Sequence, residues 1–309
     1  MHAKQMMAAL CAAGLAFGAF AEEEAAGYAW APGEGLSYNG KPLLATELGL
    51  SFDSKFMSYG LVDNDEPILT PSAKVTFADW VELGVETIFD MTKYGKKAGY
   101  GNRAGRYQEL DPGISLVHAF SGDDFEWLPT KVEFSLGYMY EYHPRSMGGG
   151  TGEPGDDTQF VSLEVGLPDL WIEPKFLYER DIDRDNGTYL QLEIGHTFAL
   201  VGGEEGADPV LAVRPSISQG FGNAQRVHGY LCKDWDEEIP LDHAGLMDTC
   251  AKGELTWNIA SGLSLSAYVA YYDFLFDSRI REASRGYEAR GRNDESWNFV
   301  TGVALTASF

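Results

Sequence analysis

From Trp297 to Phe309 every second residue is apolar or small: Trp297, Phe299, Thr301, Val303, Leu305, Ala307 and Phe309, with Asn298, Gly302, Thr306 and Ser308 among the residues between them. A period of two puts these two sets on opposite faces of one β-strand. Such a strand, greasy on one face and ending on an aromatic residue, satisfies its backbone in lipid only if both of its edges are paired. This pattern constrains the chain to a closed sheet whose apolar face looks outward.

The alternation recurs upstream. Strands are expected at 43–57, 68–77, 80–91, 107–118, 131–143, 159–167, 171–180, 188–198, 210–221, 251–259 and 263–273, and the terminal strand makes twelve. The fifth is very regular, with Val132, Phe134, Leu136, Tyr138, Tyr140 and Tyr142 against Glu133, Ser135, Gly137 and Glu141. The connections also alternate. Short ones fall at 78–79, 168–170 and 260–262, and long ones at 92–106, 144–158, 222–250 and 274–294. Two others, 119–130 and 199–209, are longer than that scheme wants. Short turns on one rim and long loops on the other are the asymmetry of an all-β, antiparallel, up-and-down transmembrane barrel with an even strand count. A soluble β-sandwich alternates too, but has no need of the rim asymmetry.

The first residues read as an export signal. Lys4 precedes an apolar or small stretch from Met6 to Phe20, and Ala19-Phe20-Ala21 offers a small-x-small cleavage site before Glu22. The expected organisation is a signal peptide at 1–21, an acidic, non-periodic periplasmic segment at 22–42, and a transmembrane barrel at 43–309. No later stretch is apolar for long enough to make a spanning helix. The net charge of −24 opposes nucleic-acid binding. Cys11 lies in the signal, which leaves Cys232 and Cys250; in an oxidising compartment these are expected to pair, the alternative being two free thiols.

The signal, the twelve alternating strands and the closing strand from Trp297 to Phe309 resemble those of bacterial outer-membrane β-barrels, in outline the twelve-stranded substrate channels. The resemblance implies an outer-membrane location in a Gram-negative-type bacterium. It also implies contact with lipid bilayer and lipopolysaccharide, and assembly by the barrel-assembly machinery through the strand ending at Phe309.

If the apolar face meets lipid, the polar face lines the interior. That assigns Glu47, Asp53, Glu82, Glu86, Asp90, Glu133, Glu164, Glu193, Arg214 and Glu254 to a pore lining, with Glu109, Asp111, Glu141, Glu173 and Glu179 also inward. Inward bases are few: Lys55, Lys74, Lys175, Arg214 and Lys252. An excess of carboxylates needs water and favours cations over anions. The leading functional reading is a passive, cation-leaning channel for small hydrophilic solutes. The alternative is a non-conducting adhesin or structural barrel working through its external loops, whose arginines at 279, 281, 285, 290 and 292 suit lipopolysaccharide phosphates or their own acidic neighbours.

No catalytic, cofactor or metal site is expected. His118, His143, His196, His228 and His243 belong to no recognisable catalytic arrangement. Asp181, Asp183 and Asp185 resemble a calcium loop, but Gly187 falls one place late and Leu192 stands where a bidentate Glu is needed.

Overall fold

In a computed structural model the described residues are 28–31, 33–91, 105–122, 124–143, 157–202, 209–231, 243–288 and 296–309. Twelve antiparallel strands among them close a barrel: β3 (Lys41–Asp53), β6 (Ile68–Phe77), β7 (Val81–Asp90), β8 (Arg106–Phe120), β9 (Val132–Glu141), β10 (Thr158–Gly166), β11 (Lys175–Asp181), β12 (Thr188–Gly195), β14 (Leu211–Gly222), β15 (Gly245–Ala260), β16 (Leu263–Asp273) and β17 (Trp297–Ser308). Each pairs with its neighbour in sequence, and β17 returns to pair with β3 from Gly302↔Asp53 to Ser308↔Glu47. The other edge of β3 pairs with β6. No barrel strand is left with an open edge, as hydrocarbon requires.

Parity divides the two faces as the sequence implies. On β17, Trp297, Phe299, Val303 and Leu305 are exposed outward, while Asn298, Val300 and Gly302 are buried inward. Leu50, Phe52, Leu83, Val85, Leu192, Ile217, Leu255, Trp257 and Val269 continue the exposed apolar belt on other strands. Aromatic residues gather at its borders. Trp80 stacks on His118 at 3.9 Å between ring centroids, and Trp171 on His196 at 4.9 Å, both beside the short turns. Phe198, Phe125 and Trp127 lie on the same side, and Trp297, Phe299 and Phe276 lie toward the long loops. Amphipathic rings prefer such interfaces. Phe56, a residue that also suits a girdle by position, instead belongs to an internal hairpin.

Three features depart from the sequence expectation. First, the non-periodic segment before the barrel carries regular structure. Within it β1 (Tyr28–Ala31) and β2 (Gly35–Tyr38) form a hairpin, and β2 pairs with the start of β3. Strands of four residues are too short to display a period. Gly35 has φ 80°, and a Cβ there would strike the Leu44 carbonyl, so only glycine suits this corner. The hairpin sits beside the end of β17: the Gly33 N–H donates to Ser308 O at 3.2 Å.

Second, β3 stops at Asp53 rather than running to 57. The chain turns inward, and β4 (Phe56–Ser58) pairs with β5 (Leu61–Asn64). Third, two helices appear on the long-loop side, α1 (Ala224–Leu231) and α2 (Ser278–Glu288), besides a short strand β13 (Phe198–Val201) on β14. Asn223 caps α1 by accepting from the Arg226 N–H at 2.9 Å. Asp277 caps α2 by accepting from the N–H groups of Arg279 and Ile280 at 3.0 and 3.2 Å.

These insertions build a core inside the barrel mouth. Leu61 from β5, Val227 and Leu231 from α1 and Ile280 and Ala283 from α2 pack on Tyr189, Met247 and Phe274 of the wall. Leu61, Val227, Met247 and Ile280 are fully buried, and each is worth about 1.5–3 kcal/mol of apolar transfer. The long-loop end therefore holds a packed core against the inner wall.

Candidate functional site

The ten residues expected to line the interior alternate along their strands with exposed apolar neighbours, and by their contacts they fall into two electrostatic groups. The first group is paired. Arg214 donates to Glu173 at 2.9 Å and to Glu193 at 2.7 Å, and Gly195 leaves room for its guanidinium against the wall. Burial raises the carboxyl pKa of Glu173, which sits in the turn after β10, but hydrogen bonds from Arg214 and Thr197 outweigh it and leave a net lowering. Glu47 stands opposite Lys74 in register. Lys131 reaches Glu133 at 3.0 Å, and Lys252 contacts Glu254 while its ammonium lies over the Tyr268 ring. Asp53 accepts from Tyr268 Oη at 2.7 Å, and Lys55 donates to Asn298 at 2.9 Å.

The second group is acidic and lies on β7 to β10. Glu82 stands in register with Thr76 and Ser115, and Glu86 with Ser72 and Asp111. Glu164 on β10 stands opposite Ser135. Like charges directly opposite one another destabilise a sheet unless something compensates them. Leu110 and Tyr142 form an antiparallel bridge, which sets Glu109 beside His143 and Asp111 beside Glu141 on the inner face. Between Ile88↔Glu109 and Phe89↔Tyr107 the register slips by one residue. This bulge turns Gln108 inward as well, where it accepts from Asn64 of β5 at 3.1 Å and ties the inserted hairpin to the wall. Asp90 is buried at the end of β7.

His143 lies between two carboxylates. Its Nε2 is 3.3 Å from Glu109 Oε2 and 3.3 Å from Glu141 Oε1. Glu109, Asp111 and Glu141 were legible as inward acids from parity. What sequence reading missed is His143 as their partner; the available signal was the matched i, i+2 spacing of Glu109-x-Asp111 and Glu141-x-His143 on adjacent strands.

A third cluster belongs to the mouth. Arg226 is 1% exposed, with Nη2 3.5 Å from Glu179 and Nη1 3.5 Å from Asp185. Tyr59, next to the β4–β5 turn, donates to Glu179, and the Tyr59, Phe160 and Tyr230 rings surround the guanidinium at 4.8–5.8 Å. Burial, then the Glu179 charge, raise the phenol of Tyr59 well above its ordinary value, so it stays a donor. Tyr189 donates to buried Asp248 at 2.9 Å. The calcium-like run is consumed locally: Asp181 accepts from the N–H groups of Asp183 and Arg184, and Asp185 accepts from Gly187 and faces Arg226.

Cys250 is buried on β15, and its expected partner Cys232 lies outside the described residues. Arg281, for which either lipopolysaccharide phosphates or acidic neighbours were expected as counter-charges, is bound to Asp273 at 3.3 Å and Ser296 at 2.8 Å.

A closed twelve-stranded sheet with an outward apolar belt, aromatic borders and a charged interior defines a transmembrane β-barrel of the bacterial outer-membrane class. Solved structures with a similar outline are an outer-membrane channel from Pseudomonas putida F1 (8% identity, 87% of this chain and 96% of that one, TM-score 0.46) and the KdgM porin (9%, 85% and 99%, 0.46). OccAB3 of Acinetobacter baumannii also matches (10%, 89% and 66%, 0.38). At these scores the likeness says nothing of cargo. No family model matches the chain, and neither does any curated protein.

Proposed function

We propose that this barrel is a passive channel for small hydrophilic solutes that favours cations, and that its mouth is narrowed by the core around Arg226. The observation that carries the reading is the uneven charge of the interior. Glu173, Glu193 and Glu254 are matched by Arg214 of β14 and Lys252 of β15, whereas Glu82, Glu86, Glu109, Asp111 and Glu141 on β7 to β9 make no Lys or Arg ion pair among the described residues. Excess carboxylates in a confined aqueous space hold mobile cations and repel anions. Solutes would pass by diffusion down their gradient.

The packed core supports a second reading, a closed barrel that works through its outer loops. The two separate on conduction, and the acidic wall is tested by selectivity. In a salt gradient the Glu82→Gln, Glu86→Gln double variant should conduct with a reversal potential shifted toward zero. A channel whose selectivity is unmoved by that change would remove the acidic wall from the pore.

Delivery follows from the same reading: residues 1–21 serve as export signal, 22–42 remain periplasmic, and β17 is the strand the barrel-assembly machinery engages. A Cys232–Cys250 bond would tether the loop after α1 to the wall; a mobility change on reduction is its test.

A further inference from the structure

Glu109, Glu141 and His143 present one ligand atom each within 4.8 Å of one another on the inner wall, close to the mouth. We propose that they bind a divalent transition-metal ion of the zinc type, with Asp111 completing the ligand set.

Three observations carry this. The first is the position of His143. Its Nε2 has one proton to give at most, yet two carboxylate oxygens stand from it at the same 3.3 Å, beyond the usual range of an N–H···O bond. That distance matches the spacing between ligand atoms around a tetrahedral ion bound at about 2.0–2.2 Å, which is about 3.3–3.6 Å. The second is Asp111. Its Oδ1 is buried without a hydrogen-bond partner among the described residues. The third is charge. Glu109 is 7% exposed, Glu86 stands directly opposite Asp111, and no Lys or Arg ion pair to these four carboxylates is found among the described residues. Carboxylates so placed are neutralised either by protons or by a bound cation, and a bound ion with an imidazole ligand would do so while using all of these oxygens. The imidazole in the donor set selects zinc-like ions over calcium or magnesium, which take oxygen ligands.

The site does not depend on whether the barrel conducts, so its test is separate from that of the channel. Tag-free folded protein, stripped with a chelator, is titrated with Zn2+ by calorimetry, and with Co2+ while the visible spectrum is followed. The expected result is one Zn2+ per chain, a four-coordinate Co2+ spectrum, and affinity reduced about 100-fold by His143→Ala or Glu141→Gln. Asp79→Asn, at a distant turn, should leave it unchanged. Retention of the heat-shifted gel mobility establishes that each variant is folded. Absence of saturable binding, binding that neither site variant weakens, or equal competition by Ca2+ would each overturn the proposal.

Discussion

Tyr268 on β16 donates to Asp53 on β3 at 2.7 Å, reaching across β17 at Gly302. The bond spans the seam where the last strand meets the first, and it exists because Gly302 has no side chain: a Cβ there would run into both the Asp53 carboxylate and the Tyr268 ring. Gly302→Ala should lower stability by about 1–3 kcal/mol through overpacking and loss of that bond. The check is the temperature or denaturant midpoint at which the folded gel band disappears, and an unchanged midpoint would mean the seam does not need this contact.

Arg226 ties α1 to the inner wall. Removing one partner of a buried ion cluster leaves the others uncompensated, at a cost of about 3–5 kcal/mol. Arg226→Ala should loosen the mouth core rather than the barrel. Hydrogen exchange should rise over α1 and β4–β5 while the strands stay protected, and unit conductance should increase. Uniform loss of protection across the strands would show that the core supports the whole barrel.

Asp277 offers an acid-sensitive latch outside the membrane-spanning strands. Burial raises its pKa, but the Ile280 N–H, His243 and the Arg279 N–H outweigh that and hold it below the ordinary carboxylate value. A carboxyl depressed in the folded state stabilises above its unfolded pKa, and that contribution is lost as pH falls through the folded one. The latch on α2 should therefore hold at neutral pH and release below about pH 4. Proteolysis of the α2 region as a function of pH measures this. Asp277→Ala should make the region sensitive at all pH values; a variant with the wild-type acid profile would exclude the latch.

The inward carboxylates should not contribute equally to selectivity. Glu133 has Lys131 at 3.0 Å, whereas Glu86 stands opposite Asp111. Glu86→Gln should reduce cation preference more than Glu133→Gln does, read as the shift in reversal potential of each single variant. The reverse order would mean that pairing within the wall does not govern the lumen field.

The barrel was legible because each spanning strand lies between two solvents. Val132 to Tyr142 alternates since lipid and lumen impose opposite polarity on successive side chains, and β9 runs from Val132 to Glu141 accordingly. Where both faces meet protein, that rule has no purchase. Leu61 and Val62 are both buried in the β4–β5 hairpin, so no alternation marks it. The helices did leave signals, Asn223 and Asp277 as caps with Val227 and Leu231 or Ile280 and Ala283 following at helical spacing, but 222–250 and 274–294 fall between alternating strands and read as long loops. Within the acidic wall, parity identified the side chains. Their grouping around His143 depends on strand register and on the bulge at Gln108, which pairing alone determines.

The measurement that tests the central claim most directly is single-channel recording of the refolded wild-type protein in a planar bilayer under a KCl gradient. Discrete openings with a reversal potential of the sign set by K+ are the expected result. Silence from protein whose heat-shifted mobility establishes a folded barrel, or a reversal potential set by Cl−, would contradict a cation-leaning channel.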